Sequence, residues 1–157
     1  MKLTDNWFST MAETDNEMPI FISGRDELDE FRLSQKFKER VEIYWQYEST
    51  HNGMPSDNDA ELMEKVIDAL RKAVEKDKLA ILTGIYTGNN ERTMVFYTRT
   101  SRVFGERLNE ALAEFPQLPI TLYVENDLNW DEYQEMCDIK PFADYGIGTT
   151  NAEIIKP

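Results

Sequence analysis

Phe37-Lys38-Glu39-Arg40-Val41-Glu42-Ile43-Tyr44-Trp45-Gln46-Tyr47 is the most regular stretch of the chain. Phe37, Val41, Ile43, Trp45 and Tyr47 fall on alternate positions, with Lys38, Arg40, Glu42 and Gln46 between them. A period of two with one apolar side predicts a strand that buries one face. Tyr44 and Gln46 then belong to the opposite face. The strand runs out at the turn-forming cluster His51-Asn52-Gly53-Met54-Pro55.

The elements that follow fix how this strand is used. Ser56-Asp57-Asn58-Asp59 opens a helix, with Ser56 as cap and acids at the positive end of the dipole. Leu62, Met63, Val66, Ile67, Leu70 and Val74 recur at helical spacing, and Lys72, Lys76 and Lys78 lie toward the far end. Leu79 to Thr87 reads as a strand, Gly88-Asn89-Asn90 as a tight turn and Thr93 to Thr98 as the hairpin partner. Val103, Phe104, Leu108, Leu112 and Phe115 mark a second helix that Pro116 ends. Ile120, Leu122 and Val124 alternate through a last strand. The order β-α-β-β-α-β predicts an α+β, ferredoxin-like sandwich over residues 36–127: two helices on one sheet face, the other left available.

Outside that unit, Trp7 to Met11 and Met18 to Ser23 suggest an N-terminal hairpin within residues 1–35, followed by a helical turn around Leu28 and Phe31. Within residues 128–157, Trp130, Tyr133 and Cys137 share one face of a short helix, and an irregular tail begins at Pro141. No linker, repeat or low-complexity tract divides the 157 residues, so a single domain is expected.

Charge and composition narrow the chemistry. The net charge is −13, from 17 basic and 30 acidic side chains. Residues 1–35 contribute −5 and residues 128–157 another −4, so the excess acid sits toward the ends. This opposes binding to nucleic acid or anionic membrane. One Cys allows no internal disulfide, and one Cys with one His cannot close a zinc site, so no cofactor or metal is expected. The longest apolar run, Leu79-Ala80-Ile81-Leu82, is far short of the ~20 residues that span a bilayer. A signal-peptide pattern is missing from the first residues, so a cytoplasmic protein is the expectation.

Several residues, taken in order, resemble a bacterial family of domains of unknown function, number 695. They are Trp45-x-Tyr47, Gly53-Met54-Pro55, Thr83-Gly84, Arg92, Phe96-Tyr97-Thr98 and the closing Asp127-Leu128-Asn129-Trp130-Asp131-Glu132-Tyr133. The likeness runs from Trp7 to Tyr133. Leu128 stands where the family often carries proline. The family has no established activity or catalytic residues to carry over. Some members are fused to a domain similar to the regulator of ribonuclease activity B, an acidic ferredoxin-like protein that inhibits an RNA-degrading enzyme by binding it. The resemblance thus implies a small bacterial domain with a regulatory role.

Two functional readings compete. In the first, Tyr44, Tyr86, Tyr97 and Tyr123 line the free sheet face and, with the acidic surface, bind another protein or a second copy of the chain; tyrosines suit protein interfaces, and the basic residues of an RNA platform are absent. Cover by the N-terminal hairpin would remove that surface. In the second, Trp45, Glu48, Asp127, Trp130 and Tyr133 enclose a pocket for a carboxylate-based hydrolase or a small molecule. Asp127 also suits a helix cap. A Cys137–His51 dyad is disfavoured because Cys137 lies on an apolar stripe and His51 in a polar turn. Asp57-Asn58-Asp59 lacks calcium-loop spacing, and Gly146-x-Gly148 follows no strand.

Overall fold

The computed structural model describes residues 1–49 and 52–140. His51, Gly146-x-Gly148 and the tail from Pro141 lie outside the described residues. Ten elements follow in order: β1 Trp7–Glu13, β2 Pro19–Arg25, α1 Asp29–Ser34, β3 Glu39–Gln46, α2 Asp57–Glu75, β4 Ala80–Gly88, β5 Glu91–Thr98, α3 Ser101–Leu112, β6 Ile120–Asn126 and α4 Asp131–Cys137. The strands form one antiparallel sheet of order β1-β2-β4-β5-β3-β6.

Local chemistry sets the elements. Ser56 Oγ accepts the Asp59 amide at 3.1 Å and starts α2. Asn89 and Asn90 both adopt positive φ, 53° and 68°, closing the β4–β5 hairpin with the two-residue turn whose twist suits antiparallel strands. Gly53 takes φ +74°, and its carbonyl accepts the Asn90 amide at 3.0 Å. A Cβ at Gly53 would lie 2.7 Å from the Asn89 backbone nitrogen, so the two turns pack as only glycine permits.

One sheet face carries α2 and α3. Val41, Ile43 and Trp45 of β3 meet Met63, Val66, Leu70 and Val74 of α2 and Phe104 and Leu108 of α3 in a wholly apolar core. The opposite face carries α1 and α4, where Phe8, Ile22, Leu28, Phe31, Phe37, Ile81, Val95, Tyr97, Trp130, Tyr133 and Met136 form a second core. The buried Arg25 ties β2 to α2: its guanidinium donates to Glu75 at 2.8 Å and to the Leu82 carbonyl at 3.0 Å.

Four expectations change. The N-terminal hairpin lengthens the sheet beside β4 and does not fold over a face. The face expected to be open is half covered, because Leu28, Phe31, Trp130 and Met136 bury apolar surface there. Phe37 precedes β3, which begins at Glu39, and packs against Phe31 at 5.7 Å on the second face. Finally, β6 ends the sheet, so Leu122 and Val124 stay 43% and 44% exposed despite their alternation.

Candidate functional site

On the α4 side of the sheet, cross-strand register builds a polar shelf. Arg40 of β3 lies between Glu125 of β6 and Tyr97 of β5; Glu42 lies opposite Tyr123; Tyr44 lies between Thr121 and Thr93, and Thr93 is opposite Tyr86 of β4. Alternation places these residues on one face, and α4 forms its wall. Arg40 is the hub. Its guanidinium donates to Glu42 at 2.6 Å, Asp127 at 2.7 Å and Glu125 at 3.1 Å. Burial opposes its charge, but Asp127 and Glu42 outweigh that and hold it firmly protonated.

The four tyrosines divide. Tyr44 is half-buried and its hydroxyl donates to Glu42; Tyr123 is 44% exposed and donates to Glu125. Tyr86 is half-buried against α4 and donates to Glu132 at 2.7 Å. Tyr97 is not on the free surface at all. It is fully buried beneath Trp130, rings stacked at 4.3 Å, with its hydroxyl donating to Asp127 at 2.7 Å and accepting the Tyr133 amide at 3.2 Å.

The residues of the second reading do not converge. Trp45 is buried in the first core, on the other side of the sheet from Trp130. Glu48 is exposed beyond the end of β3 where Gln46 meets Glu91, while Asp127 follows the Asn126–Glu39 pair at the opposite end. At about 3.3 Å per residue they stand roughly 30 Å apart. Asp127, Trp130 and Tyr133 do assemble, as a docking device for α4. Asp127 accepts the Asp131 and Glu132 amides at 2.8 and 3.3 Å, the Trp130 indole N–H donates to the Phe37 carbonyl at 2.9 Å, and the Tyr133 hydroxyl donates to the Arg25 carbonyl at 2.5 Å. Burial would raise the Asp127 carboxyl, yet the Tyr97 hydroxyl, the Asp131 amide and Arg40 together hold it below the usual carboxylate range.

Glu132, Arg40 and Glu42 were missed in the sequence. Burial pushes the Glu132 carboxyl up against the Tyr86 hydrogen bond, and Glu42 adds to the rise. Its Oε1 is buried without a hydrogen-bond partner. The signal for Arg40 and Glu42 was present, since both share the alternation of Tyr44. Glu132 gave none, because its placement depends on how α4 docks. Cys137 is half-buried on α4, and burial raises its thiol. Among the described residues, no group of three or more His, Cys, Asp or Glu side chains is placed to hold a metal ion, and no helix is long and apolar enough to cross a membrane.

A six-stranded antiparallel sheet layered by helices on both faces, with a carboxylate-and-tyrosine shelf beside the last helix, defines a mixed α+β domain. The model of a family of unknown function, DUF695, matches residues 5–136, and the chain belongs to that family. No curated protein and no solved structure matches it. The residues that carried the sequence resemblance have structural roles. Thr83 is the extra residue of a β-bulge, and Gly84 lies under Met136, whose sulfur would stand 2.6 Å from a Cβ there. Tyr47 donates to the Gly53 carbonyl at 2.6 Å, and Arg92 donates to Thr87 at 3.0 Å.

Proposed function

We propose that this protein is a cytoplasmic, non-enzymatic regulatory module that binds another protein through the shelf of Tyr44, Tyr86 and Tyr123. The supporting observation is the arrangement of carboxylates around these rings: Glu42, Glu91, Glu125 and Glu132 share the face, with Arg40 as its basic residue. A tyrosine offers an apolar body and a polar tip, a combination suited to interfaces. The carboxylates select a basic partner segment and repel nucleic acid. The order β4-β5-β3-β6, with α2 and α3 as the crossovers, supports reading residues 36–127 as a ferredoxin-like unit extended by the β1–β2 hairpin.

The test uses a fluorescein-labelled lysine-rich peptide as probe, followed by anisotropy. Wild-type binding is expected to weaken steeply between about 0.05 and about 0.5 M salt. A Tyr44→Ala, Glu91→Gln, Glu125→Gln variant is expected to bind about tenfold more weakly. An Asp57→Asn, Asp59→Asn variant, altered at the remote start of α2, is expected to match wild type. Salt-independent binding, or equal losses in both variants, overturns the reading.

A further inference from the structure

The sheet has two edges, β1 and β6, alike in lacking basic residues, proline and glycine but different in cover. At β1, Phe8 turns inward and is 6% exposed, and acids Glu13, Asp15 and Glu17 follow along the hairpin. At β6, Ile120-Thr121-Leu122-Tyr123-Val124-Glu125-Asn126, Ile120 is half-buried against the first core, but beyond it neither face is covered: Leu122, Tyr123 and Val124 are 43–44% exposed. The strand holds no Lys, Arg, Pro or Gly, and its pairing with β3 shows no register shift. Those are the usual devices that blunt an edge.

The hydrogen-bond pattern says which backbone groups are unused. The Asp127 amide donates to the Lys38 carbonyl at 2.8 Å and the Gln46 amide to the Pro119 carbonyl at 3.1 Å. Alternation between these two points turns residues 121, 123 and 125 toward β3. Leu122, Val124 and Asn126 therefore point N–H and C=O outward, as does the Ile120 carbonyl; the Ile120 amide is already held by the Leu118 carbonyl at 2.9 Å.

From this geometry we propose that β6 pairs antiparallel with β6 of a second copy of the chain, about a two-fold axis through Tyr123. This register aligns all outward groups. Leu122 exchanges hydrogen bonds with the partner subunit's Val124, and the Asn126 amide reaches the partner subunit's Ile120, giving about six bonds across the axis. On the α3 side, Leu122 and Val124 share the face of Ile43 and Val41, so they join the partner subunit's Val124 and Leu122 in continuing the first core. On the shelf side, Tyr123 meets the partner subunit's Tyr123 directly. Charge permits the match: Glu125, the only charged residue of the strand, is paired with Arg40 and faces the partner subunit's Thr121, so no carboxylate meets another. A two-fold contact needs one self-complementary patch, and Leu-Tyr-Val around Tyr123 supplies it. The interface is small, so the dimer belongs to the weak, concentration-dependent class. It would join two shelves into one surface, but the pairing does not rest on the shelf's binding a partner.

Sedimentation velocity from about 5 to about 500 µM tests it, a range suited to micromolar dissociation constants. Wild type is expected to pass from monomer to dimer, more readily as salt screens the −13 charge, the opposite of the salt effect on lysine-rich peptide binding. Leu122→Lys and Val124→Lys are expected to stay monomeric throughout, with thermal midpoints near wild type because both sites are surface positions. In a Cys137→Ser background, Tyr123→Cys is expected to cross-link between copies on mild oxidation, and Thr121→Cys is not. A wild-type monomer at about 500 µM, a dimer that survives both lysine variants, or equal cross-linking from both cysteines overturns the proposal.

Discussion

The two faces of the sheet are held by different physics. On the α2–α3 face the core is apolar at its centre, where Phe96 and Phe104 pack at 5.1 Å among aliphatic residues, and the buried ion pair Arg25–Glu75 lies at its margin beside β2. On the α1–α4 face a core of similar character is threaded by ionised and hydroxyl groups, with Asp127 joining Tyr97, Arg40 and two α4 amides. The centre of the first face derives its stability from apolar burial, which is non-directional and tolerant of exchange among apolar residues. The second ties seven-residue α4 to one position through directed bonds, and α4 in turn positions Glu132 and walls the shelf. The mixed face is therefore the one expected to respond to pH and to carry function.

The contrast is tested first by truncation on each side. Trp130→Ala removes the stack on Tyr97, the edge contact with Tyr133 at 5.4 Å and the bond to Phe37, and is expected to cost about 3–5 kcal/mol. Phe104→Ala is expected to cost a comparable amount from a purely apolar site. Urea unfolding reads both costs. Backbone amide exchange separates them: loss of Trp130 should release α4 while α2 stays protected, and loss of Phe104 should lower protection throughout. Uniform loss in the Trp130 variant would mean that α4 is not a separable layer.

Next in size is Asp127→Asn. An amide keeps one acceptor but turns a donor either toward Arg40 and Tyr97, which share Oδ2, or toward the Asp131 amide at Oδ1, for an expected cost of about 2–4 kcal/mol. The folded Asp127 carboxyl titrates below its unfolded value, so its contribution is complete above about pH 4 and drains away as pH falls through the lower folded value. The three tryptophans report this by region: Trp7 in the hairpin, Trp45 in the first core and Trp130 in the second. With 5-fluorotryptophan, the ¹⁹F resonance of Trp130 is expected to move before that of Trp45 on acidification. Simultaneous movement would contradict the two-layer picture.

How much of this was readable in advance follows from what each signal depends on. Periodicity is local, so β3, α2, the β4–β5 hairpin and β6 were all legible, as was the Asp127 cap. Which face a flanking helix covers is not local. The Trp130–Tyr133 stripe announced an apolar helix face, but nothing in the spacing said that it would sit on Tyr97. That contact removed Tyr97 from the surface and separated Trp130 from Trp45. Likewise the alternation of Leu122 and Val124 matched a buried strand, and only the sheet order reveals β6 as an edge. Arg40 and Glu42 were legible as neighbours of Tyr44, but their importance depends on Asp127 and Glu125 arriving from distant sequence.

The smallest effect separates two carboxylates at the ends of the same device. Asp127 is stabilised as the anion, but burial raises the Glu132 carboxyl even though Tyr86 donates to it. A carboxyl whose folded value exceeds the unfolded one binds its proton more tightly in the folded state. Stability from that proton is present at low pH and is lost as pH rises through the folded value. Glu132→Gln removes the charge and keeps an acceptor for the Tyr86 hydroxyl. At pH 8 the variant is therefore expected to be more stable than wild type, by under about 1 kcal/mol, with the advantage closing near pH 4. Thermal unfolding across that range measures it. If Glu132→Gln is instead less stable at pH 8, the charge-assisted bond to Tyr86 outweighs desolvation, and the two carboxylates no longer differ in sign. If it is more stable, the native glutamate lowers stability at the position where the shelf meets α4, as expected of a residue kept for what it binds.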